Sequence, residues 1–79
     1  ETDAGYAQAV SALRRLDESA PADIRAIVHE NMAAALEAVQ QPAQARQHRT
    51  MAQAAWDTHG HEQSETRRVL HENTVTTLH

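Results

Sequence analysis

Apolar residues return at every third or fourth position along most of this chain, the spacing of amphipathic helices. Over about residues 3–18, Tyr6, Val10, Leu13 and Leu16 share one stripe, with Ala9 and Ala12 beside it. Ser19-Ala20-Pro21-Ala22-Asp23 breaks that pattern. Ser19 can cap a new helix, Pro21 is tolerated only in a first turn, and Asp23 suits the positive end of the helix dipole. A second helix over about residues 20–40 would bury Ile24, Ile27, Val28, Met32, Ala35, Leu36 and Val39, the most regular stripe in the chain. Pro42 disfavours helical geometry at Gln41 and can itself open a third helix, over about 42–58, with Ala45, Met51, Ala52, Ala55 and Trp56 on its apolar side. Gly60, directly after Thr58-His59, stands where a left-handed residue commonly closes a helix. A fourth helix over about 62–78 would then carry Val69, Leu70, Val75 and Leu78, with the β-branched Thr74-Val75-Thr76-Thr77 as its weak end. The expected fold is all-α, with four antiparallel helices stacked as helix-turn-helix units in a single domain over residues 1–79, part of a larger protein.

Composition narrows the core. Of the 32 hydrophobic residues among 79, 16 are Ala, leaving five Leu, five Val, two Ile, two Met, one Trp and one Tyr. With two Gly and two Pro there is little turn chemistry for a sheet, which excludes barrels, sandwiches and glycine-rich phosphate loops. Zero Cys excludes disulfides, a thiolate zinc site and a Cys nucleophile, and favours a cytoplasmic setting. No apolar run approaches the ~18 residues of a membrane span, and no charged-then-apolar leader opens the chain. A net charge of -4, with seven Arg interspersed among Asp, Glu and Gln, argues against nucleic acid as the partner of this segment and reads as a solvated face laced with helix-spaced ion pairs.

Two local duplications run through the plan. Arg25, Ile27, Val28, His29, Glu30, Asn31 and Leu36 are matched by Arg67, Val69, Leu70, His71, Glu72, Asn73 and Leu78, a shift of 73 − 31 = 42 residues. Ala7-Gln8-Ala9 recurs as Ala43-Gln44-Ala45, at a shift of 43 − 7 = 36. Repeated helices of this kind cannot bury their apolar faces singly and must stack.

On these residues the chain resembles the tetratricopeptide repeat family. Met32-Ala33 with Leu36 is similar to the large-small pair and following large residue of a first helix, and Ala45 and Ala52 lie where the second helix carries small residues. Tyr6, Ala9 and Leu13 are similar to the second helix of a preceding repeat. The 42-residue spacing is closer to the longer-repeat variant of bacterial regulator sensor domains than to the standard ~34. His29, Arg49, Leu16 and Asp57 depart from the residue types usual at their positions. The resemblance implies a right-handed solenoid fragment that binds a protein or peptide, as the interaction or sensor part of a regulatory protein. It also implies a concave groove in which Asn31 and Asn73 grip a peptide main chain, helped by Glu30, Glu72, Ala34 and Glu37, with Ala38 and Thr76 beside them. An amide donates and accepts together, so it can hold a peptide unit without selecting its sequence. The bland alternative is that each Asn merely bonds a neighbouring helix.

Other chemistry is sparse. Ser11, Ser19 and Ser64 lie in no nucleophile context, so the chain reads as a non-enzyme without a cofactor. Six His among 79 residues is a high count, and protonating all six would carry the net charge from -4 to +2. His59, His61 and Glu62 are metal-capable at close range, although a polar loop of solvated imidazoles is the better reading of them. His29 and His71 read as inherited repeat positions at a helix interface, and Trp56 as a packing anchor between the third and fourth helices. Half-alanine burial set against chain entropy makes the isolated domain marginal, which points to flanking repeats, a partner or self-association. Two rivals stand beside the peptide-binding module: a homodimeric helical docking domain, and a His-rich metal-responsive module.

Overall fold

The computed structural model describes the backbone of residues 2–17 and 19–78, and the side chains of 4–17 and 19–73. The expectations placed on Val75, Thr76 and Leu78 therefore lie outside the described side chains. The described residues form three α-helices and no strand: α1, Thr2–Arg15; α2, Ala22–Ala38; and α3, Pro42–Leu78. The all-α reading holds. The four-helix reading does not, because α3 is one helix of 37 residues that passes straight through Gly60.

Gly60 was expected to stop the third helix, yet no glycine has a positive φ. The reason is energetic. A glycine inside a helix costs only about 1 kcal/mol relative to Ala, and Thr58-His59 and His61-Glu62 supply no competing cap. A Cβ built at Gly60 meets nothing within 4 Å. Gly60→Ala should therefore stabilise the domain by about 0.5–1 kcal/mol and raise helix content, read by far-ultraviolet circular dichroism and urea unfolding. Destabilisation would mean that the chain turns there after all.

The turns before α3 have clear local causes. Arg15 ends α1, and the Leu16 N–H donates back to the Leu13 carbonyl at 3.1 Å. Ser19 does not cap α2, as its sequence position suggested. Its backbone N–H and its Oγ donate instead to the Asp17 carboxylate, at 2.6 and 2.5 Å. These two bonds hold the Asp17 carboxyl below its ordinary pKa, the side-chain bond counting most. Pro21 itself takes the cap position of α2, with φ -55 and ψ 145, and its carbonyl accepts from Arg25 at 3.0 Å. At the other end of α2, Gln40 adopts φ 62. Gln41 N–H donates to the Leu36 carbonyl at 2.8 Å and Gln40 N–H to that of Glu37 at 3.0 Å, the paired bonds of a Schellman closure. Pro42 then opens α3.

Packing is sequential: α1 lies on α2, and α2 on α3. Ala9, Met32, Ala33, Leu36 and Ala45 form the core cluster, with Tyr6, Val10, Leu13 and Ala35 packed against it. The α2–α3 seam is lined with alanine from both sides: Ala22, Ala26 and Ala33 on α2, and Ala45, Ala52 and Ala55 on α3, each no more than 7% exposed. Small side chains let the two backbones approach, and that displaces the face predicted to be buried. Ile24 and Ile27, expected in the core, are 45% and 44% exposed, because α2 turns its alanines and not its isoleucines toward α3.

The molecule is long. Its radius of gyration is 17.2 Å and its extents 59 × 20 × 19 Å, against roughly 12 Å for a compact chain of this size. A 17-residue α2 can pair with only the first part of a 37-residue α3, so the remainder of α3 projects as an overhang. Residues 60–73 are all exposed.

Candidate functional site

The seam between α2 and α3 gathers most of the polar chemistry. The helices run antiparallel through the 39–41 turn, so facing residues have sequence numbers of roughly constant sum: Glu37 pairs with Arg49, and Glu30 with Trp56. Helical periodicity places these four side chains on one flank of the alanine seam, and His29, His48, Arg25 and Met51 on the other.

On the first flank, Trp56 Nε1 donates to Glu30 Oε1 at 2.5 Å, and Arg49 forms an ion pair with Glu37. An open cavity of 380 Å³ lies there, lined by Glu30, Arg49, Ala52, Gln53 and Trp56. Its polar groups already have partners: Glu30 and Trp56 bond each other, Arg49 bonds Glu37, and Gln53 donates to Asp57 at 3.0 Å. With side chains 49% and 51% exposed, the Arg49–Glu37 pair is a surface ion pair, a class that contributes only about 0–1 kcal/mol. Trp56 anchors α2 to α3, with the His59 ring edge-on to it at 5.9 Å. The expected contact to a fourth helix does not exist.

On the second flank, the Nδ1 atoms of His29 and His48 are 2.9 Å apart, and the rings stack at a centroid distance of 5.1 Å with 27° between planes. One nitrogen must carry a proton and donate while the other accepts, so at least one of the two rings is neutral when the contact forms. Desolvation, then His48, then Arg25 push the His29 pKa below its ordinary value. A depression of 250 Å³ beside the pair is lined by Arg25, His29, Met51, Ala54, Ala55 and Thr58.

The residues expected to grip a peptide are not brought together. Glu30 and Glu37 are committed to the α2–α3 flank. Asn31 lies on the opposite side of α2, in a cleft of 190 Å³ shared with Gly5, Gln8, Ala9 and Ala12 of α1. Ala34 is exposed. Glu72 and Asn73 are exposed on the overhang, where Arg68 Nη1 lies 3.4 Å from Glu72 Oε1. The groove implied by the repeat resemblance is therefore not formed. The physical reason is direction: residues 67–78, the sequence copy of 25–36, belong to α3 and run antiparallel to α2, whereas a stacked repeat requires the copies to be parallel.

His59, His61 and Glu62 also part company with their expected setting, for they sit inside a helix and not at a junction. His59 and Glu62, three residues apart, share a face of the helix, but His61, two residues after His59, points away from it. Among the described residues no three His, Cys, Asp or Glu side chains gather to hold a metal ion. His29 and His48 offer two nitrogens, fewer ligands than a resident ion takes, with Arg25 adding positive charge beside them. No helix of the described residues is long and apolar enough to cross a membrane. A hairpin turning at 39–41 sets α2 against the first half of α3, but the pairs it brings together have number sums of 77 for His29 with His48 and 86 for Glu30 with Trp56, so the turn alone does not select them.

No family model, curated protein or solved structure matches this chain.

Proposed function

We propose that this chain is a non-catalytic interaction module that docks helix against helix along the overhang of α3, with a second copy of the chain as the occupant. The observation that carries this reading is the continuation of one face. The side of α3 that is buried against α2 through Ala45, Ala52 and Ala55 runs on past α2 through Thr66, Val69 and Leu70. Val69 and Leu70 are 45% and 60% exposed, and with Glu65 and Thr66 they line a shallow depression of 280 Å³. Arg68 meets Glu65, at the rim of that depression, at 2.7 Å, and reaches Glu72 at 3.4 Å on the more charged side of the helix. The overhang thus has a solvated face and an apolar one. Helices of this length draw most of their stability from packing an amphipathic face, and intrahelical ion pairs add only about 0.2–0.5 kcal/mol each.

A second copy supplies the complement without further assumption. In an antiparallel pair about a two-fold axis near residues 69 and 70, Val69 of each chain meets Leu70 of the other. The contact is small beside a standard interface of about 1,600 Å², so the dimer should be weak and concentration-dependent. Sedimentation velocity over a hundredfold concentration range tests it. Wild-type protein should shift toward dimer, and Leu70→Asp should remain monomeric with unchanged helix content, because position 70 is exposed in the monomer. A wild-type chain that stays monomeric into the hundreds of micromolar, or a dimer indifferent to Leu70→Asp, overturns the reading.

A further inference from the structure

We propose that the α2–α3 seam is a proton-operated clasp, closed while the His29 and His48 rings share a hydrogen bond and opened when both rings carry a proton on the facing nitrogens. Geometry carries the argument. Two Nδ1 atoms at 2.9 Å can share one proton, but two protonated nitrogens at that distance would place hydrogen on hydrogen and cation on cation. The surroundings offer no relief. Facing His29 across the seam is His48, and Arg25 stands one turn back on α2. Met51, Ala54, Ala55 and Thr58 complete that flank without a charge. The nearest seam carboxylates, Glu30 and Glu37, lie on the other flank and are engaged with Trp56 and Arg49. His59 sits farther along α3 against Trp56. α1 packs on α2 through Tyr6, Ala9, Val10 and Leu13, and the charges that act on His29 are those of His48 and Arg25.

The sign follows from burial of the neutral form. Because the folded state holds the His29 pKa below its unfolded value, the contribution of the His29 ring is fully present above the ordinary His range near ~6.5 and is lost as pH falls through it. Apart from Leu36 and Met32, which pack with Ala45 near the turn, the seam is held by small side chains. Alanine contributes little apolar area per contact, and the remaining cross-seam bonds are exposed. Acidification should therefore part α2 from α3 while each helix keeps its own backbone bonds, and bare the Ala45–Ala52–Ala55 face of α3. This holds whether or not the overhang self-associates.

Urea unfolding at about pH 7.5 and about pH 5.5, a window in which His titrates and most carboxylates do not, gives the primary test. It is run on dilute wild-type protein and on the His29→Gln/His48→Gln double variant, whose amides can bond across the seam without gaining charge. Wild type should show a several-fold larger unfolding constant at the lower pH, and the double variant much less change. Equal changes in both would assign the effect to other groups and overturn the proposal, as would a wild type indifferent to pH. Nuclear magnetic resonance of wild type alone gives a second readout should the variant fail to fold. Cross-seam nuclear Overhauser contacts between Ala26 or Ala33 and Ala52 or Ala55 should fade as the His29 and His48 ring signals titrate. Contacts that persist after both rings are protonated would overturn it.

Discussion

Leu36→Ala is expected to cost about 2–5 kcal/mol, enough to unfold most of a marginal domain of this size. Leu36 is 1% exposed and the largest fully buried side chain among the described residues. It sits in the core cluster with Ala9 of α1, Met32 and Ala33 of α2, and Ala45 of α3, so one side chain contributes to both helix interfaces. Ala9, Ala33 and Ala45, three of the four other buried members of that cluster, have no rotamers with which to fill the void. The cost should consequently fall in the upper half of the range. Urea unfolding followed at 222 nm measures it, and a loss below about 1 kcal/mol would show that the core does not turn on this residue.

The second large effect has the opposite chemistry. Ala33→Leu adds three carbons at a position that is 0% exposed, where α2 meets its neighbours through small side chains. Overpacking of this kind costs about 1–3 kcal/mol, occasionally more. In a chain this short each kcal/mol lowers the melting temperature by about 4–8 °C. Ala34→Leu, one residue along and exposed, has the same change in volume and helix propensity, and its melting temperature should hardly move. If the two variants melt together, the close alanine seam does not exist.

These two residues also show what the sequence could and could not reveal. Leu36 and Ala45 were legible as core because apolar residues at helical spacing follow directly from packing, whereas Ala33 was singled out only by the repeat resemblance. The stops at Pro21 and Pro42 were equally readable, since proline removes a donor and fixes φ whatever surrounds it. Ile24 and Ile27 were misplaced because periodicity identifies an apolar face without saying which neighbour it meets; α2 has neighbours on two sides, and the tighter contact selects alanine. Gly60 misled for a different reason. Its helix-ending tendency is a preference of about 1 kcal/mol, and nothing in His59 or His61 adds to it. Once that stop is removed, the likeness between 25–36 and 67–78 no longer dictates stacking, and Asn31 and Asn73 lose their shared groove. The seam pairs of Glu30 with Trp56 and His29 with His48 needed a register, which no pattern along a single helix contains.

A helix unbroken from Pro42 to Leu78 also behaves as a shaft. Around its axis each residue advances by about 100°, so the bearing of Leu70 relative to the Ala45 contact is fixed by the number of residues between them. One inserted residue would swing the distal apolar face a quarter-turn or more away from its line with α2 without touching any interface, whereas seven would lengthen the shaft and nearly restore the aim.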